Sequence, residues 1–263
     1  MSNDRQALSG TAFATLLLIA FMMGANHVAA RLAFNNGVDV VTAVSCRSAI
    51  TAMVVCLLLW QQKVSFATTA RDKKFLLMIG GLIAVQSVCL YSSVARLPVA
   101  LALLAFNTYP LSTAIWARVL YKHRAERAVL LAMPVMLIGL AMALDVFGAA
   151  SGLGAAAHWS QIGAGIAFAL MASATFGLAM VITQHEVATL DGRLRTFSTM
   201  GLVAVFAVTG AMTQGGLHWP TATPGWLGLG LLTFLYGTAF TIMFTVLPRL
   251  GVVGNSAIMN VEP

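Results

Sequence analysis

The chain has 263 residues, 59% of them hydrophobic and 9% charged, with a mean hydropathy of +0.88. Soluble domains carry about 25% charged residues, so a water-exposed globule is excluded and the solvent is lipid. The net charge of +7 does not point to nucleic acid, because the basic residues fall between apolar runs and form no single patch.

After a short polar tail, MSNDRQ, the first apolar run covers residues 11–30. It has spanning length, longer than the apolar region of a cleaved signal peptide. Further runs follow at 39–60, 75–95, 98–117, 128–147, 160–183, 196–213 and 226–247, and a ninth begins near Leu250. A backbone in lipid must satisfy its own hydrogen bonds, so each run predicts a helix. No stretch alternates as a barrel strand would. Cys46, Cys56 and Cys89 lie inside apolar runs without CxxC spacing, which indicates neither a disulfide framework nor a zinc site. Trp60, Trp159, Trp219 and Trp226 fall near span ends, where the interface favours them.

The charges orient the spans. One connection carries Lys63, Arg71, Lys73 and Lys74, the next but one Arg118, Lys122, Arg124 and Arg127, and a third Arg193 and Arg195. Segments 148–159 and 214–225 hold no Lys or Arg. The positive-inside rule then predicts a multi-pass protein of the cell (inner) membrane with a cytoplasmic amino terminus.

An internal repeat is also visible. RLPVALALLAFNTYP (96–110) aligns with RLGVVGNSAIMNVEP (249–263), matching Arg96 with Arg249, Asn107 with Asn260 and Pro110 with Pro263. The copies lie five helices apart and so run in opposite directions, the plan of many secondary transporters. The predicted fold is an all-α polytopic membrane protein of two inverted five-helix repeats, 11–147 and 160–263. The second repeat is truncated, and the tenth helix of the plan is missing from this chain.

The stretch LLAFNTYP (103–110) places polar groups inside a span. Asn107 lies nine residues after Pro98, about 13 Å along a helix axis and close to the midplane. Pro110 removes the donor that the Phe106 carbonyl would use. Such groups at membrane depth take a partner, water or substrate. The sequence therefore nominates Asn107, Tyr109, Asn260 and Glu262 for a midplane site, with Glu262 also fitting a proton or cation site or a helix-end salt bridge. Arg47, about eight residues into the second span, must face the interior or a wet cavity and suits an anionic group such as a carboxylate, or else pairs with a neighbouring helix. His27 suits proton carriage or plain packing. Gln86, Tyr91 and Tyr236 fit contacts to a substrate, though Tyr is also the interface-belt residue. Arg31 reads as an interface anchor, and Gln184, His185 and Glu186 as a solvated face.

The glycine of FMMGANHVAARLA, the arginine of AVSCRSAI, the string YSSVARLPVALALLAFNTYP and the ending LGVVGNSAIMNVEP together resemble the EamA-like members of the drug/metabolite transporter superfamily. The resemblance covers essentially the whole chain. It implies two five-helix EamA-like repeats and a transporter of a small polar metabolite, an amino acid among the options, with export favoured. Where the family often has Gly-Glu soon after the fourth helix, this chain reads LYKHRAER. No P-loop, HExxH or GxSxG pattern occurs, so neither a cofactor nor an intramembrane enzyme is indicated. The expected partners are a small-molecule substrate and the bilayer. Small-residue faces would also serve a homodimer, and a non-transporting assembly subunit remains the alternative.

Overall fold

The computed structural model describes residues 10–123, 127–145 and 155–245, and every regular element among them is helical. The helices are α1 (Gly10–Phe34), α2 (Val40–Gln61), α3 (Ala70–Arg96), α4 (Val99–Phe106), α5 (Tyr109–Tyr121), α6 (Arg127–Ala143), α7 (Ala155–Glu186), α8 (Gly192–Thr213) and α9 (Thr223–Thr245). Among the described residues seven helices are long and apolar enough to cross a membrane, with Val99–Tyr121 counted as one. Their outward faces are greasy: Phe21 is 71% exposed and Met142 77%. A bilayer covers such a surface; water would not tolerate it.

Local chemistry sets the helix starts. Asp39 accepts from Thr42 N at 2.8 Å and caps α2. Thr69 and Asp72 form a reciprocal capping box on α3, which satisfies two orphan donors at once. Asp191 caps α8 by accepting from Arg193 N at 2.8 Å. The fourth span is not one helix. It breaks at Asn107–Thr108 between α4 and α5, where Pro110 at the start of α5 cannot donate to the preceding turn. The break is tied down by the Thr108 hydroxyl, which bonds the Ala105 carbonyl at 2.8 Å and Ser173 of α7 at 3.0 Å.

Helix pairing is set by small residues. α3 packs on α7 and α8, α9 on α1 and α2, and α2 on α8. Exchanging α1, α2 and α3 for α7, α8 and α9 maps α3–α7 onto α9–α1, α3–α8 onto α9–α2, and α2–α8 onto itself. At Gly228 of α9 an added Cβ would lie 2.7 Å from Ala33 N and 2.8 Å from the Ala29 carbonyl, so α9 rests on the backbone of α1. Close approach of this kind is how membrane helices gain packing contact.

The two ends of the bundle differ. One carries the α2–α3 and α7–α8 connections with their basic residues; there Arg71 pairs with Glu186 at 2.6 Å, Tyr121 donates to Glu186 at 2.8 Å, and Arg193 bonds Gln62. Glu186 is thus bound between α3 and α5, its side chain 12% exposed, and His185 stacks on Tyr121 at 3.8 Å. The expected solvated face at 184–186 is therefore in part a packing contact, because α5 ends over it. At the opposite end the α1–α2 turn meets the α8–α9 connection. Thr221 N donates to the Asn36 carbonyl at 3.1 Å, and His218 N to Thr42 Oγ1 at 2.9 Å. Gly37 turns there at φ +92°, a conformation that a side chain would strain.

Candidate functional site

The second span reads VVTAVSCRSAIT, and α2 buries its small polar residues Thr42, Ser45, Ser48 and Thr51 together with Arg47. Arg47 is only 5% exposed. Its guanidinium lies over the ring of Tyr236 from α9 at 4.2 Å and over that of Tyr91 from α3 at 4.8 Å. Aromatic faces carry negative charge density and attract a cation. Nη2 donates to Ser87 Oγ at 2.9 Å, and Ser87 donates in turn to Gln86 Oε1 at 3.3 Å. Arg47 Nε is buried without a hydrogen-bond partner. Among the described residues no carboxylate forms an ion pair with this arginine.

Tyr91 is held from several sides. Its hydroxyl donates to Asn26 Oδ1 at 2.8 Å, and Asn26 Nδ2 donates to the Met23 carbonyl one turn back. His27 meets the ring edge-on at 5.5 Å and Phe34 at 5.9 Å. His27 Nδ1 is also buried and unpartnered.

These side chains border a cavity of about 290 Å³. His27, Arg47, Gln86 and Tyr236, from α1, α2, α3 and α9, line it together. One wall is aromatic: Phe106, Tyr109 and Phe176 stand 5.1–5.7 Å apart, centroid to centroid. The cavity reaches the basic end at Gly192 and Arg195. None of its lining comes from the α1–α2 turn or the α8–α9 connection, the two segments bonded to each other at the opposite end.

Of the residues that the sequence nominates, His27, Arg47, Gln86, Tyr109 and Tyr236 line this one space. Tyr91 stands behind it as part of the arginine cage. Asn107 is not among the lining residues; it caps α4 at the break, its Oδ1 buried and unpartnered. Asn260 and Glu262 lie outside the described residues. Arg31 is no simple interface anchor, since its Nη1 donates to the carbonyls of Val94 and Leu97 and ties α1 to the end of α3. Sequence reasoning passed over Asn26, Ser87 and Arg195. Asn26 carried a signal, a polar side chain beside His27 in an apolar span. Ser87 carried none, and Arg195 looked like one more loop charge.

Comparison with known proteins agrees with this architecture. No curated protein matches the sequence. The model of the EamA-like transporter family matches residues 10–144, just over half of the chain and the whole of α1 to α6. With seven apolar helices of crossing length, the protein is a multi-pass membrane protein, and it belongs to the EamA-like transporter family.

Proposed function

We propose that the chain is a secondary transporter that moves a small polar metabolite, an amino acid among the options, across the cytoplasmic (inner) membrane by alternating access. The reading rests on one observation: a cavity built by several helices holds a buried arginine and reaches the basic end, while at the opposite end the described α1–α2 and α8–α9 segments are bonded to each other. A chamber of this size suits a small metabolite. The basic end faces the cytoplasm by the positive-inside rule, with the amino terminus on that side. Loading from within then makes export the direction.

Alternating access needs two halves that rock against each other. Residues 11–147 and 160–263 supply them as inverted repeats. The exchange-symmetric pairing of α1, α2, α3 with α7, α8, α9 supports that assignment. His27, Arg47, Gln86, Tyr91, Tyr109 and Tyr236 contact or frame the substrate, and Asn107 shapes the break beside it.

The test compares metabolites in the medium of cells expressing the chain and of cells expressing Arg47→Ala. We expect at least one compound to accumulate outside only with the intact sequence. Identical media, with both proteins inserted in the membrane at equal level, would overturn the transport reading.

A further inference from the structure

The cavity is charged unevenly. Its described lining includes Arg47, Arg195 at the basic end and His27, and no Asp or Glu. A cleft with low-dielectric walls and charge of one sign concentrates ions of the other. Arg47 is the stronger element of the two, because it is buried and burial of an uncompensated charge is costly. The two tyrosine rings and the Ser87 hydroxyl ease that cost. None of them brings a negative charge.

The geometry also fixes how a compensating group would approach. Two rings flank the guanidinium, their centroids 4.2 and 4.8 Å from Cζ. Nη2 is committed to Ser87. What remains in the plane includes Nε, which has no partner. Carboxylates meet guanidinium groups in that plane, through paired N–H donors. His27 Nδ1 is a second unpartnered nitrogen on the same wall. The rest of the described lining is largely apolar, with Met23, Phe106, Phe176 and Phe240 among it. An anionic head therefore has a place at Arg47, and an apolar body has a place against the aromatic wall.

We infer that this cavity takes a small amphipathic organic anion, whose carboxylate docks on the in-plane edge of Arg47 and whose apolar body lies against Phe106, Phe176 and Phe240. The inference rests on the transporter reading for its biological use, though binding itself does not require transport.

The experiment measures equilibrium binding to the full 263-residue chain in lipid nanodiscs, with four radiolabelled probes. Phenylacetate has the anion and the body, phenethylamine a cation on the same body, 2-phenylethanol a neutral head, and acetate the anion alone. Phenylacetate should bind at least roughly tenfold more tightly than each of the others, the difference expected of a charge-assisted pair. Arg47→Gln should bring phenylacetate down to the affinity of 2-phenylethanol measured on the same variant, and measurable binding of that neutral probe reports that the cavity is still formed. If Arg47→Gln does not insert, Arg47→Lys keeps the charge but loses Nε, and should weaken phenylacetate alone. Equal binding of acid and amine would overturn the proposal, as would phenylacetate binding that ignores both substitutions. Preference for phenethylamine would overturn it too, since it would mean that a carboxylate of the chain already neutralises Arg47. The two readings fail separately. Phenylacetate binding without any change in the medium of expressing cells sinks transport alone; export of a cationic or neutral compound sinks the anion alone.

Discussion

The Tyr91 hydroxyl donates to Asn26 Oδ1 at 2.8 Å, so the ring that flanks Arg47 is held in place by α1. Tyr91→Phe keeps the ring and leaves a buried acceptor without its donor. The expected cost is about 1–3 kcal/mol of stability, read as a lower unfolding midpoint in detergent. Anion affinity should fall less than in Tyr91→Ala, which also loses the face over the arginine. An unfolding midpoint equal to that of the parent chain would show that Asn26 does not depend on this bond.

Gly177 is where α7 lies on α5. A Cβ there would stand 2.7 Å from Thr113 N and 2.9 Å from the Ser112 carbonyl carbon. Backbone cannot step aside as a side-chain tip can, so Gly177→Ala should force the helices apart. A loss of about 1–3 kcal/mol is expected, as for overpacking in a core. Gly230 of α9 is the control, exposed and with nothing within 4 Å among the described residues. Gly230→Ala should be neutral or stabilising by up to about 1 kcal/mol. Equal effects at the two sites would remove the argument from close approach.

The bonded end can be locked. Thr221 N and the Asn36 carbonyl are 3.1 Å apart, so cysteines at Asn36 and Thr221 should cross-link under mild oxidation. In liposomes the cross-linked double variant should lose flux and regain it on reduction, while either single variant is unaffected. Full flux through the cross-linked chain would mean that this end never needs to open.

Asp191 offers a pH test outside the spans. Hydrogen bonding from the Arg193 side chain, before other causes, holds its carboxyl below the usual carboxylate range. A lowered folded-state value stabilises the fold above the ordinary carboxylate pKa, and that contribution is lost as pH falls through the lowered value. Asp191→Ala should cost about 1 kcal/mol near neutrality, through the cap and the ion pair together. The gap between the two unfolding midpoints should narrow below about pH 4. A gap that is the same at pH 7 and pH 3 would assign the effect to something other than the ionised carboxylate.

Hydropathy located the seven helices of crossing length among the described residues, because length and apolarity are local properties. Their ends were harder. The third span looks as if it starts near residue 75, yet α3 starts at Ala70, since the Thr69–Asp72 capping box carries the helix through the charged ARDKK stretch. The loss of a donor at Pro110 becomes a full break at Asn107–Thr108, and a hydroxyl of α7 sixty-five residues away helps to hold it. Arg47 was legible as a residue that must be sheltered, from its price in lipid alone. The shelter itself was not, because Tyr91 and Tyr236 meet over it only once α3 and α9 are packed. Arg195 counted as a topology signal and proves to line the cavity as well.

A chamber that reaches the basic end at Gly192 and Arg195 can be stoppered there. A molecule with a head that suits Arg47 and a tail longer than the chamber would protrude past Arg195 at the basic end. On the alternating-access reading it would block closure of the chamber. Length alone would then separate cargo from blocker. Along a series of phenylalkanoates of increasing chain length, efflux of each acid should fall while its inhibition of a shorter one rises.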